Sequence, residues 1–213
     1  MSKRLAEVRT GRREFNKEDK LRRIKDAARK LFIANGFDET STRQIAINAD
    51  VALGTLFLYA ANKRDLLFLV ANEDLENVAD RAAAAVRSDA SLIDNLVAVF
   101  RPLYEFFGEE PELSRLTLRE MMFYEFGPQA KRFLATRHRM IDLCRDIVRI
   151  AQSKNEIKTD RRYRKAGEVL FAIYQIEIRK WLMAPRLDIE VGLQNLREDL
   201  EIVITGLSKR PQP

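Results

Sequence analysis

The chain has 213 residues, of which 33% are charged and 46% apolar, with only 8 Gly and 6 Pro; this composition excludes a disordered chain and leans to an all-α fold with few, short loops. No stretch reaches the roughly 18 to 20 continuous apolar residues of a membrane span, the start has no signal-like apolar run, and the one cysteine excludes an internal disulfide, so the expected setting is the cytoplasm. The net charge of +6 sits at one end: residues 1–65 hold 15 Lys/Arg against 9 Asp/Glu, while residues 66–213 hold 23 of each.

A field gathered in this way suits a polyanion, because each phosphate neutralised by Lys or Arg releases condensed counterions; a solvated basic tail on any protein would give the same count. Residues 1–17 show no apolar period and carry Lys3, Arg4, Arg9, Arg12, Arg13 and Lys17, which predicts a flexible basic arm. From about Glu18, Leu21, Ile24, Ala28, Leu31 and Phe32 step by three and four as one helix stripe does, until Gly36 stops it. Ser41 followed by Gln44 has the form of a capping box and opens a second helix with Ile45, Ala46 and Ala49 inward.

The stretch Leu53–Tyr59 predicts a third, short helix, but Leu53, Leu56, Phe57, Leu58 and Tyr59 are too crowded for one face to hide them. Some must face outward. A fourth helix starts at Asn62-Lys63 and runs to about Arg87. Five more follow at about Ser91–Gly108, with Pro102 inside it, then Glu112–Tyr124, Pro128–Ser153, Arg161–Met183 and Asp188–Leu207. The expected organisation is therefore the arm over 1–17, a three-helix unit over 18–62 and a helical domain over 63–213, with about nine helices in all.

Two short helices joined by a tight turn, next to a basic arm, suggest a helix-turn-helix. The residues are more particular than the spacing. Ala27-Ala28 and Leu31-Phe32 before Gly36, Thr40-Ser41 before Ile45-Ala46, then Ala49, Val51, Gly54-Thr55-Leu56, Tyr59, Lys63 and Leu66-Leu67 stand in one order. Over roughly residues 20–70 this run resembles the N-terminal domain of the TetR family of bacterial transcription regulators. The rest is similar only in length and helical texture.

The resemblance implies a sequence-specific DNA-binding regulator, a repressor released from its operator by a small apolar or amphipathic effector, working as a homodimer, with no cofactor. It implies that Leu53 to Tyr59 lie in the major groove, which would explain their outward crowding. Val51 and Leu56 would hold the two helices together. Gly54 would let the helix start approach the DNA backbone, Thr55 would offer a hydroxyl and a methyl to base or phosphate, and Leu53 would touch a thymine methyl. Tyr59 and Lys63 would bind phosphates, Arg43 a guanine or a phosphate with Thr42 beside it, and Arg9, Arg12 and Arg13 would enter the minor groove. The chain departs from the family pattern at Ala52, where a capping Ser or Thr is usual, and at Asp50, Phe57 and Ala60.

Aromatic and Met side chains concentrate over 100–126. Phe100, Tyr104 and Phe107, with Met121, Met122 and Phe126, are candidates for an effector pocket, and Phe171, Tyr174 and Trp181 for its far wall; the same residues also fill ordinary cores. In Val169–Met183 apolar residues point nearly all round, which predicts burial on more than one side. Ile189, Leu193, Leu196, Leu200, Val203 and Leu207 form a clean stripe. Ile173, Ile176, Leu193, Leu196, Leu200 and Val203 are thus candidates for a four-helix dimer interface, or else both helices close a monomeric bundle. His138 and Cys144 have no partners of metal-ligand spacing, and no Gly-rich phosphate loop or GxSxG motif occurs. The other readings are a DNA-binding dimer without a small-molecule effector, and an all-α ligand carrier or enzyme with an incidental basic end.

Overall fold

The computed structural model describes residues 2–157 and 162–206, with side chains from Glu14 onward, and among these the regular structure is all helix. In chain order the helices are α1 (Ser2–Glu39), α2 (Thr42–Asn48), α3 (Leu53–Leu56), α4 (Lys63–Ala84), α5 (Leu92–Glu109), α6 (Pro111–Glu120), α7 (Pro128–Ser153), α8 (Tyr163–Leu182) and α9 (Ile189–Thr205). The expected helix bounds at Arg161 and Leu207 lie outside the described residues.

Helix α1 starts at Ser2 and not near Glu18, so the stretch expected as an arm continues the first helix. Its Lys, Arg, Glu, Ala and Leu are good helix formers that need no apolar stripe to favour the backbone. The side chains of Arg9, Arg12 and Arg13 lie outside the described residues. At the other end Gly36 interrupts the helix with φ 78° and ψ 168°, as its place in the sequence predicted. Helix α6 ends at Glu120, four residues before the expected Tyr124, and Phe123 takes φ 56° in the turn that follows it.

The chain divides into two compact units. Unit 1 runs to Glu73 and adds Leu116–Phe133; its core gathers Ile24, Ala28 and Phe32 of α1, Ile45 of α2, Leu56 of α3 and Leu66 of α4, all at most 1% exposed. The expected division at residue 62 therefore takes another form, because the segment from Leu116 to Phe133 folds onto the start of α4. Unit 2 holds Asp74–Arg115 and everything from Leu134 on. There α5, α8 and α9 pack together around Leu96, Phe100, Tyr104, Tyr174, Ile178 and Leu196. Pro102 is buried inside α5, which continues through it to Glu109. Arg101 of α5 grips Glu190 of α9 with two parallel hydrogen bonds of 2.5 and 2.9 Å. No helix among the described residues is long and apolar enough to cross a membrane.

Candidate nucleic-acid interface

The outward face of unit 1 depends on a turn held from behind. Helix α2 begins with the capping box read in the sequence: the Gln44 amide donates to Ser41 Oγ at 3.2 Å, and the Ser41 amide donates to Gln44 Oε1 at 2.7 Å. Ile45 and Ala46 then point inward, and the helix ends at Ala49. Asp50 follows at φ 50°, a conformation Asp tolerates better than most residues. Arg23 of α1 fixes this corner, donating to Ala49 O at 2.9 Å, to Asp50 O at 3.1 Å and to the Asp50 carboxylate at 3.2 Å. Asp19, one turn earlier, orients it at 3.1 Å. Sequence reasoning missed Arg23; the i,i+4 pair with Asp19 was legible, but its reach across 26 residues was not.

Helix α3 is a single turn, shorter than the expected Leu53–Tyr59, and Ala52 gives it no side-chain cap. Leu56 is fully buried and pins the turn to the core, while Val51 is half-buried beside it. Gly54 is exposed, Leu53 and Thr55 are half-buried, Phe57 is exposed, and Leu58 is 82% exposed. On α2, Arg43 is exposed, Thr42 half-buried and Ile47 exposed. The crowded apolar run thus resolves into one inward residue and a set presented outward.

Tyr59 and Lys63 sit at the rim of this face with their polar ends engaged. The Tyr59 hydroxyl donates to Lys17 O at 3.2 Å. Lys63 Nζ donates to Phe37 O at 2.7 Å and Asp38 O at 3.1 Å, 4.5 Å from the Phe37 ring centroid, so it closes the end of α1. An ammonium has three donors, which leaves Lys63 one for a phosphate.

In unit 2 the expected pocket wall is a packed stack. Phe100 lies flat on Tyr174 at 4.4 Å between ring centroids, Tyr104 stands 5.0 Å from Trp181, and Phe171 is 5.6 Å from Tyr174. Phe107 is buried too. Met121, Met122 and Phe126 belong to unit 1 and not to this wall; Met122 and Phe126 face outward there. Six of the nine candidates thus lie in unit 2 and three in unit 1. An apolar cleft of about 360 Å³ opens elsewhere in unit 2, with Leu92, Val148, Ala166 and Leu170 among its walls and Arg162 and Lys165 at its margin.

The dimer candidates divide as well. Leu193, Leu196 and Leu200 are buried in the core of their own unit against α5 and α8, so they have no surface to offer a second copy. Ile173 is half-buried, while Ile176 and Val203 are exposed. Met183, the residue after α8, lies seven residues beyond Ile176 and is exposed with it, while Val169 is exposed and lines the cleft described above.

Burial raises the Cys144 thiol pKa to about 12, and His138 on the same helix is exposed. A thiol so protected is not a nucleophile. No cluster of three His, Cys, Asp or Glu side chains able to hold a metal occurs among the described residues. Glu177 is the buried carboxyl of unit 2, 3% exposed, with Lys180 Nζ at 2.5 Å. Desolvation raises its pKa, and Asp199, sharing a hydrogen bond with it, adds to the rise against the pull of Lys180. A carboxyl whose pKa is higher folded than unfolded binds more protons when folded, so its contribution falls as pH rises from the ordinary carboxylate range through the raised value. We expect Glu177→Gln to lessen the loss of melting temperature as pH rises above the ordinary carboxylate range; melts that keep the wild-type slope would discount this account of Glu177.

Comparison with known proteins agrees with this geometry. Residues 24–70 match the family model described as bacterial regulatory proteins, tetR family. The chain is 24% identical over 196 residues to the fatty acid metabolism regulator protein of Bacillus subtilis, covering 91% of this chain and 98% of that one. It is 26% identical over 140 residues to the HTH-type transcriptional regulator UidR of Escherichia coli K12, covering 65% of this chain and 69% of the relative. Two solved structures share the fold. Thermus thermophilus FadR, a TetR family transcriptional repressor in complex with lauroyl-CoA, superposes with a TM-score of 0.65 at 23% identity over 91% of this chain and 98% of that one. Bacillus subtilis FadR in complex with stearoyl-CoA gives 0.68 at 21% identity over 87% and 98%.

Proposed function

We propose that this chain, which belongs to the TetR family of bacterial regulatory proteins, works as a homodimeric repressor that an amphipathic, anionic acyl effector releases from its operator. The observation that supports the DNA reading is the outward set at α3: with Leu56 anchored and Arg23 bracing the corner, Gly54 is exposed and Leu53 and Thr55 are half-buried on the same short turn. A helix turn presented so can enter a major groove, where Thr55 meets a base edge or phosphate and Arg43 a guanine or phosphate. Two copies would dock on half-sites about 34 to 36 Å apart.

The effector class is supported by the lauroyl-CoA and stearoyl-CoA held by the two FadR proteins. Within this chain, the cleft in unit 2 offers apolar walls for an alkyl chain, and Lys165, which gives one donor to Glu168 at 3.2 Å, has further donors for an anionic head. Release is then linkage: an effector that binds better to a dimer with badly spaced recognition turns weakens the operator complex by that same difference.

Selecting fragments from a randomised DNA pool, with and without lauroyl-CoA, tests both halves. The expected result is a two-fold symmetric consensus that is depleted when the acyl-CoA is present. A consensus indifferent to acyl-CoA would leave a DNA-binding dimer without that effector, and no consensus at all would sink the regulator reading. Against the selected site, Arg43→Ala and Thr55→Ala should each reorder the ranking of single-base operator variants by about 1–3 kcal/mol at the contacted positions. An unchanged ranking in both variants would remove the base-contact assignment.

A further inference from the structure

Residues 116–133 are remote in sequence from the DNA reader, yet they belong to its unit. Asp65, in the first turn of α4, is 0% exposed. Its carboxylate accepts hydrogen bonds from the Ala61 amide at 2.8 Å, from the Gln129 amide at 3.0 Å and from the Tyr124 hydroxyl. Tyr124 itself is stacked on Phe68 of α4 with centroids 4.0 Å apart. Burial and the bond to Asp65 raise the Tyr124 hydroxyl pKa well above the usual phenol range, so the proton stays on Tyr124 and is donated to Asp65.

Gln129 makes the contact that matters most. Its Nε2 donates to the carbonyl of Tyr59 at 3.2 Å, and its own carbonyl accepts from Asn72 Nδ2 at 2.9 Å. One residue thus ties the end of the recognition turn to α4. Gly127 permits the approach: it takes φ 118°, and a Cβ there would collide with the Asp65 carboxylate. An outer ionic layer runs parallel to this one. Glu120 takes Arg64 on one oxygen and Arg119 on the other, both at 2.9 Å, and Arg119 also reaches Asp38 at 3.2 Å.

We propose that Asp65, Tyr124 and Gln129 form a clasp by which the turn after α6 and the first turn of α7 set the position of Tyr59, and with it the seating of the recognition turn for operator DNA. These three are positioning residues that touch no DNA. The proposal rests on the operator-binding reading above. It adds that the turn is seated by a segment outside the residues that match the family model, so a displacement of that segment would loosen the reader itself.

Two mild variants test it. Gln129→Ala removes the bond to the Tyr59 carbonyl and keeps the amide bond to Asp65; Tyr124→Phe removes one hydroxyl and keeps the ring on Phe68. Each should weaken binding to the selected operator roughly five-fold, the effect of about one lost hydrogen bond. Binding to random duplex at low salt should stay within two-fold, and amide exchange should speed up at residues 58–61 and not across the rest of the unit. Equal losses on operator and random duplex, or protection lost throughout, would overturn the proposal in favour of plain destabilisation, and so would wild-type values in every readout. The exchange measurement needs no operator. If the wild type selects no DNA site, the regulator reading fails while exchange at residues 58–61 still decides the clasp.

Discussion

Asp65→Ala should lower the stability of the folded chain by about 3–5 kcal/mol, the cost of taking one partner out of a buried, hydrogen-bonded polar cluster. Alanine at this site leaves the Ala61 amide, the Gln129 amide and the Tyr124 hydroxyl without their acceptor. The last two lie in buried surroundings, where an unpaired donor is costly. It also takes an acidic residue out of the first turn of α4, where the free helix amides favour negative charge. At about 2–4 °C per kcal/mol for a chain of this size, the melting temperature should fall by roughly 6–20 °C. Asp65→Asn keeps the volume and one acceptor oxygen, and should recover about half of that loss. Calorimetry on the three proteins decides it. If Asp65→Ala melted within 2 °C of the wild type, the cluster would not hold unit 1 together, and the seating of the recognition turn would need another cause.

The large effect expected of Asp65 was invisible in the sequence for a specific reason. An acidic residue three places after Asn62 reads as a local cap, and Asn62 Oδ1 does accept from the Asp65 amide at 2.9 Å. Two of the carboxylate's three partners, Tyr124 and Gln129, come from 59 and 64 residues away, and no local pattern encodes that. What was legible is what short-range physics settles: the break at Gly36, the Ser41–Gln44 box, the uncapped start of α3, and the helix order.

The aromatic run after α6 misled for a related reason. Composition flagged Met121, Met122 and Phe126 as pocket residues, but the turn at Phe123 directs Tyr124 into the core and leaves its neighbours outside. A period of 3.6 marks which face of a helix is apolar without saying what covers it. The stripe of Leu193, Leu196 and Leu200 was equally compatible with a partner and with this chain's own core, and the core takes it. Likewise, family resemblance assigned Tyr59 and Lys63 to phosphates but was silent on the carbonyls they also hold. The informative signal was in α8, whose apolar residues go nearly all round: one side closes unit 2, and the other remains uncovered.

That uncovered side supports the second large prediction. Ile173, Ile176 and Met183 step along α8 and its C-terminal end by three and seven residues, the spacing with which one helix meets another along its length. Ile176 is 60% exposed and Met183 80% exposed, so their side chains contribute little to the fold of a single chain and have much to gain from a second copy. Ile176→Glu should therefore leave the far-ultraviolet spectrum and the fold of each subunit intact, yet convert the proposed dimer to monomer, because two carboxylates would meet in an apolar seam without partners. A monomer can occupy only one half-site at a time. Its affinity for the full palindrome should drop by about 10²- to 10⁴-fold, the advantage that linking two sites confers, while its affinity for an isolated half-site stays as it was. Sedimentation equilibrium and operator titration on full and half sites measure the two effects separately. A variant that remained dimeric and bound the palindrome as the wild type does would place the subunit contact on another face, and would leave the α8 stripe without a role in bringing two recognition turns onto one duplex.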